Sequence, residues 1–163
     1  MCIRDSYKVK RFGVREVNMQ KYAFEGYAKE SMARAKGISL GISSKQSIEI
    51  CSFIRGKKIA TAKRMLEDVI AMKRAVPFKR FNHNIGHRKS MGPGRYPIKA
   101  CSEILKVVKA CEANAQFKGL NTSGLVIAHA SADFASRPFH YGRQSRRKMK
   151  RTHIQIVVVE GKK

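Results

Sequence analysis

Between Asp133 and Glu160 the chain carries no acidic residue and seven basic ones, Arg137, Arg143, Arg146, Arg147, Lys148, Lys150 and Arg151, set between two runs that read as β-strands. His153-Ile154-Gln155-Ile156-Val157-Val158-Val159 is β-branched and alternates at Ile154, Ile156 and Val158, and Leu125-Val126-Ile127-Ala128-His129-Ala130 is a plausible antiparallel partner. Such strands bury one face. The segment between them holds only Phe134, Phe139, Tyr141 and Met149 as large apolar or aromatic groups, too few for a core of its own. A cationic hairpin of this kind needs a polyanionic partner. Arms of about 17 residues, extended at about 3.3 Å per residue, would reach roughly 55 Å.

The charge extends well beyond that segment. Lys and Arg number 35 against 11 Asp and Glu, a formal +24 on 163 residues. Self-repulsion on this scale disfavours the isolated fold and favours association with nucleic acid. A second acid-free stretch runs from Asp68 to Glu103 and contains Lys73, Arg74, Lys79, Arg80, Arg88, Lys89, Arg95 and Lys99. Two long single-sign runs in one small chain point to phosphates rather than to a solvated face. Adhesion to an anionic membrane fits less well, because neither run carries an amphipathic interfacial stripe. No run approaches the roughly 20 apolar residues of a membrane span, and the N-terminus lacks the apolar stretch of a signal peptide, so membrane insertion is not expected and an intracellular place is.

Periodicity supplies the body. Ile38, Leu40 and Ile42 alternate as a short strand. Ser43 and Gln46 have capping-box spacing, and helical periodicity follows through Ile48, Cys51 and Ile54 to a stop at Gly56. A second helix from about Ile59 places Ala62, Met65, Leu66, Val69 and Met72 on one side and ends before Pro77. A third opens at Pro97, carries Cys101, Ile104, Leu105, Val108, Cys111 and Ala115 as its stripe, and stops at Gly119. The expected fold is α+β, a small two-layer domain of three helices on a short antiparallel sheet with a long protruding basic β-hairpin. Residues 1–30 read as a basic N-terminal arm draped over something. Residues 31–163 are expected to form one nucleic-acid-binding domain that includes a basic, Gly-rich loop at 78–96 and the hairpin at 125–159. The loop is too long for an ordinary link and is expected to be ordered.

Catalytic readings find little support. Glu67 and Asp68 are adjacent on a helix and point about 100° apart, so they cannot flank a substrate. His83 and His87 have H-x3-H spacing in a Gly-rich loop without a cysteine pair, a poor metal site. Cys51, Cys101 and Cys111 fall on apolar stripes, where a thiol stays protonated, and with Cys2 they form neither CxxC pairs nor a disulfide framework. Gly92-Pro93-Gly94 lacks the Lys-Ser/Thr of a phosphate-binding loop. No enzyme activity, cofactor or metal is expected. His129 and His153 read as structural groups that face each other across the strands.

A helix-turn-helix is the rival. Residues 44–54, a turn at Gly56-Lys57-Lys58 and residues 59–73 have suitable gross lengths for a DNA-reading unit. The second helix, however, offers Thr61, Lys63 and Arg64 followed by Glu67 and Asp68, with no Asn or Gln for adenine edges, and two basic extensions are surplus to that design.

Particular residues carry a resemblance. The segments Ile42-Ser43-Ser44-Lys45-Gln46-Ser47-Ile48-Glu49-Ile50-Cys51, Ile54-Arg55-Gly56-Lys57, Leu66-Glu67-Asp68-Val69-Ile70-Ala71-Met72-Lys73-Arg74-Ala75-Val76-Pro77-Phe78, Gly92-Pro93-Gly94-Arg95-Tyr96-Pro97-Ile98-Lys99-Ala100 and Thr152-His153-Ile154 resemble the large-subunit ribosomal protein twenty-two family, called protein seventeen in eukaryotes. The match spans about residues 36–160, and the loop ending in Gly-Pro-Gly-Arg-Tyr-Pro resembles the archaeal and eukaryotic branch. Two departures accompany it: the stretch between Asp133 and Thr152 is a few residues short, and Ser44 stands where a proline is common.

The resemblance implies a non-enzymatic constituent of the large ribosomal subunit in the cytoplasm. It binds large-subunit ribosomal RNA, aids its assembly and lines the nascent-chain tunnel with the hairpin. Partners so implied are that RNA, neighbouring large-subunit proteins near the tunnel and the nascent polypeptide. Tunnel-lining falls to Arg137, Pro138, Phe139, His140, Tyr141, Gly142 and Arg143, with Gly142-Arg143 similar to the family's pair near the tip. RNA contact falls to Lys45, Arg55, Lys57, Lys58, Lys73, Arg74, Lys79, Arg80, Arg88, Lys89, Arg95, Tyr96 and Lys99, and on the hairpin to Arg143, Arg146, Arg147, Lys148, Lys150 and Arg151. Arginine forks bridge phosphates and stack on unpaired bases, and lysines act as less directional cations. Tyr96, Phe139 and Tyr141 are open to base stacking or to packing on the chain's own cations.

Overall fold

A computed structural model describes residues 22–161. In chain order these form β1 (Met32–Leu40), α1 (Ser44–Ile54), α2 (Ile59–Ile70), β2 (Val76–Pro77), β3 (His87–Arg88), β4 (Gly92–Arg95), α3 (Ile98–Phe117), β5 (Leu125–Phe134) and β6 (Thr152–Glu160). The larger sheet is antiparallel in the order β1-β6-β5, so the last strand in sequence is the middle one in space.

The period of two along β6 explains its position. Ile154, Ile156 and Val158 are fully buried on the helix side, each contributing about 1.5–3 kcal/mol by leaving water. Their register partners there are Ala35, Ala33 and Gly37 on one side and Ile127, Ala130 and Ala132 on the other. The small residues of β1 let α3 lie close: a Cβ at Gly37 would stand 2.9 Å from Val107 and 2.8 Å from Leu40. This strand starts earlier than its expected alternation. Ile38 is 62% exposed because Ser39 adopts φ +53 and breaks the register between Gly37 and Leu40.

Residues 22–30, the described part of the expected arm, cover the other face of the sheet; residues 1–21 lie outside the described residues. Gln155 ties this face together, its Oε1 accepting from the Ala23 N–H at 2.8 Å and its amide donating to Asp133 at 3.2 Å. Arg34 is sandwiched between the rings of Tyr22 and Tyr27, 4.3 Å from each. His129 and His153 do not face each other. His129 is opposite Val157 with its ring against Phe24, and His153 is opposite Asp133 and accepts the Ser39 N–H. The extra residue between Ile127 and His129 sets this register.

The helices follow the expected stripes with four local corrections. On α1 the expected Ile48 is only partly buried, and Ile50, fully buried, joins Cys51 and Ile54 on the inner face. Ser43 makes no side-chain cap; its carbonyl instead accepts both the N–H and the hydroxyl of Ser47. Met72 lies outside α2 at φ +60 and is 60% exposed, because the chain turns after Ile70 to send the Lys73 and Arg74 N–H groups back to the Asp68 carbonyl. Leu105 flanks the α3 stripe only partly buried, and Val107 takes the inner place. Gly56 and Gly119, both at φ +74, stand just past helix ends as expected.

Residues 78–96 contribute β3 and β4 to a second small sheet in the order β2-β4-β3. The connection between β5 and β6 remains antiparallel to itself beyond the strands: Ala135 donates to Arg151, Met149 to Pro138 and His140 to Arg147, and Phe139 bridges Lys148. A short turn at Gly142–Gln144 closes it. Because β5 and β6 lie inside the body's sheet, only residues 135–151 are free to extend. About 8 residues a side reach roughly 27 Å, half the length obtained by counting the strands as arms.

Candidate nucleic-acid interface

Lys150 is the meeting point of the cationic segments. One cleft of about 260 Å³ places it with Lys45 at the start of α1, Arg95 at the end of β4 and the rings of Phe78 and Phe81. A second, about 300 Å³, adds Arg137 and Phe134. A third, about 610 Å³, adds Lys99 from the first turn of α3 and Arg147, Lys148, His140 and Arg151 from the far arm. Residues more than 100 apart in sequence thus share one surface. None of these cations makes an ion pair among the described residues, whose carboxylate pairs are Lys63–Glu112 and Lys106–Glu103. Like charges held this close raise a positive potential that a polyanion relieves.

Three of the predicted arginines are partly committed to the fold. Arg55 donates to the Ala130 carbonyl at 2.7 Å, Arg137 to the Met149 carbonyl at 3.2 Å and Arg151 to the Ser39 carbonyl at 3.1 Å. Each guanidinium keeps further donors, so these contacts aim the group as well as occupy it. Lys57, Arg74 and Lys79 gather around a separate cleft between α1 and α2. Lys58 precedes α2, with its backbone bridged to Val126, and Lys73 is exposed in the following turn. Arg80 lies over Phe81 and Arg88 over Tyr96, while Lys89 is exposed in the turn between β3 and β4. Arg143 and Arg146 are exposed at the closed end of residues 135–151.

The aromatic side chains divide the same way. Tyr96 is taken by Arg88, and Phe139 faces Lys148 at 5.0 Å, so both pack on the chain's own cations. Tyr141, between His140 and Gly142 at the tip, is 88% exposed.

Two anchoring groups escaped the sequence reading. Glu49 is only 3% exposed, yet its Oε1 accepts from the Arg80 and Phe81 N–H groups and its Oε2 from Lys79, at 2.8, 2.9 and 3.1 Å. It fixes the start of the basic loop to α1. The available signal was an acid flanked by isoleucines in a helix, a placement that is costly unless the charge is satisfied. The second is Thr152, fully buried at the foot of residues 135–151, which donates to the Ile42 carbonyl and shares a 2.9 Å hydrogen bond with Ser44. Ser44 therefore staples α1 to β6.

The chemistry of the remaining polar groups is passive. Burial pushes the Cys51, Cys101 and Cys111 thiols up to about 12, which removes them as nucleophiles. Desolvation, aided by nearby Arg55 and opposed by Asp133, lowers the His129 pKa. Among the described residues no group of three His, Cys, Asp or Glu side chains is placed to hold a metal, and no helix is long and apolar enough to cross a membrane. The helix-turn-helix geometry is also poorly served: Gly56 and Lys57 are hydrogen-bonded to Ile127 of β5, and Lys63 is held by Glu112 at 2.7 Å.

Known proteins resemble this chain over most of its length. Residues 35–159 match the family described as Ribosomal protein L22p/L17e. Similar proteins include the large ribosomal subunit protein uL22 of Methanosphaera stadtmanae, 44% identical with 85% of this chain and 96% of that one covered. That of Archaeoglobus fulgidus is 42% identical, covering 83% and 93%, and that of Methanocaldococcus jannaschii 42%, covering 80% and 89%.

Proposed function

The chain belongs to the Ribosomal protein L22p/L17e family and is a structural constituent of the large ribosomal subunit, and from that premise we propose that it clamps large-subunit ribosomal RNA around Lys150 and lines the nascent-chain tunnel with the tip of residues 135–151. The observation that carries the first half is the convergence of Lys45, Arg95, Lys99, Arg137 and Arg147 on one surface without carboxylate partners among the described residues.

An RNA strand entering this seam meets cations from the helices and from both connections together. It therefore neutralises repulsion that the free protein retains, and several RNA segments can be bridged during assembly of the subunit. Loop residues Lys79, Arg80, Arg88, Lys89 and Arg95 extend the contact on one side, and Arg143, Arg146, Arg147 and Lys148 extend it on the other. The closed end from Tyr141 to Arg143 then faces the peptide path, with exposed Tyr141 as the side chain best placed to touch a passing chain, while Arg137, near the foot, stays in the RNA seam. Neighbouring ribosomal proteins and the cytoplasmic location follow from this placement.

The test is whether a tagged copy co-sediments with large subunits and stays through a high-salt wash. Retention is the expected result, and recovery only in free fractions overturns the reading. Shortening residues 138–142 is expected to leave assembly largely intact and to change crosslinking to nascent chains. Unchanged crosslinks remove the tip from the tunnel wall.

A further inference from the structure

The cleft between α1 and α2 differs from the seam at Lys150. It encloses about 420 Å³, within the roughly 300–1,000 Å³ of small-molecule sites. Its apolar wall is Phe53, Met65 and Pro77, and the Arg74 guanidinium lies 5.3 Å over the Phe53 ring. Phe53 is eight residues beyond Lys45 in α1, about 12 Å along the helix axis, so the two regions are separate.

We propose that this cleft receives one unpaired RNA base extruded from its strand. The inference rests on the RNA-binding reading above and adds a stacking site to it. The Arg74 guanidinium already covers one face of the Phe53 ring and is itself exposed, so its outer plane is the platform on which an unpaired base stacks. Lys57 and Lys79, both exposed, stand at the rim where the flanking phosphates pass. Glu49 supplies polar recognition: its buried carboxylate lines the cleft, and Oε2 accepts a single hydrogen bond, which leaves acceptor capacity for a base-edge N–H. An apolar protein segment is the poorer occupant, because it would desolvate three cations without supplying counter-charge.

Ultraviolet crosslinking of the full chain to an in vitro transcript of archaeal large-subunit RNA, with peptide mapping, reads the contact directly. The expected adduct falls on the peptide containing Phe53. Thr61→Trp and, separately, Ser52→Trp fill the mouth from exposed positions on two helices. Each is expected to remove the adduct and weaken binding about tenfold, while leaving the slope of affinity against salt unchanged because no phosphate contact is lost. Either variant, once shown folded by circular dichroism, decides the matter. Parental affinity in both Trp variants, or no adduct at Phe53 in a parent chain that binds the transcript, overturns the proposal and leaves RNA binding intact. A crosslink from Phe53 to a neighbouring protein in intact subunits overturns it too. Failure of the parent chain to bind the transcript brings down the RNA-binding reading itself, and the cleft proposal with it.

Discussion

Residues 78–96 and residues 135–151 are both acid-free, both cationic and both inserted between elements of one core, yet the molecule holds them by different means. The first is gripped from outside itself, by the buried Glu49 carboxylate on three successive N–H groups and by β2, which pairs with its strand β4. The second is held beyond Phe134 and Thr152 mainly by pairing its two arms, with Arg151 reaching to Ser39 and Thr152 closing the foot. A charge run therefore predicts the partner and says nothing about the anchor. One connection is anchored along its start by a buried carboxylate; beyond its foot the other keeps its shape mainly by its own ladder.

Removing the outside grip should have the largest effect. Hydrogen bonds to a charged acceptor contribute about 1.5–3 kcal/mol each, and water replaces part of what is lost at this surface, so Glu49→Ala is expected to cost about 3 kcal/mol in urea unfolding. Glu49→Gln should recover less than half, since its amide group turns a donor toward one of the same N–H groups. In the free parent chain a protease should cut 135–151 well before 78–96. With Glu49→Ala the two should be cut alike, and equal cutting in the parent would erase the contrast.

Loosening the foot of the other connection is a smaller perturbation. Thr152→Val removes the hydroxyl between Ile42 and Ser44 and should cost about 1–2 kcal/mol. Cleavage should rise at 135–151 only; a rise at 78–96 would mean that the two anchors are coupled.

The smallest effect belongs to the larger sheet, from which residues 135–151 extend. His129 has a lowered pKa in the folded chain, so below about 6.5 the unfolded chain binds a proton that the folded ring resists. Stability should therefore fall as pH drops through 6.5 toward the folded value and be fully present above it. His129→Gln should flatten this slope in denaturant melts across pH 5–8, and an unchanged slope assigns it elsewhere.

The sequence made the sheet's inner face legible because Ile154, Ile156 and Val158 repeat with a strand's period, and the third helix because its cysteines and aliphatics repeat with a helix's. It hid the true start of β1, since Ala33, Ala35 and Gly37 bury a face with almost no hydrophobic signal. It misled at Met72, where the stripe continues after the helix has turned. The cations were legible as a class, but their meeting at Lys150 depends on a register that brings residues 45, 95, 99 and 137 together. Glu49 stayed invisible because its partners are backbone N–H groups, which any sequence possesses.

The middle position of β6 has a consequence for the order of synthesis. β1 and β5 each pair with β6, so the larger sheet has no completed ladder until residue 160 has been made. Contacts such as Met32 to Val159 link the two ends of the described chain, a long-range closure that makes folding slow. During that interval the emerging polypeptide displays unpaired strand edges beside dense positive charge, a combination prone to wrong associations. A polyanion that meets this charge early would suppress such associations before the sheet closes.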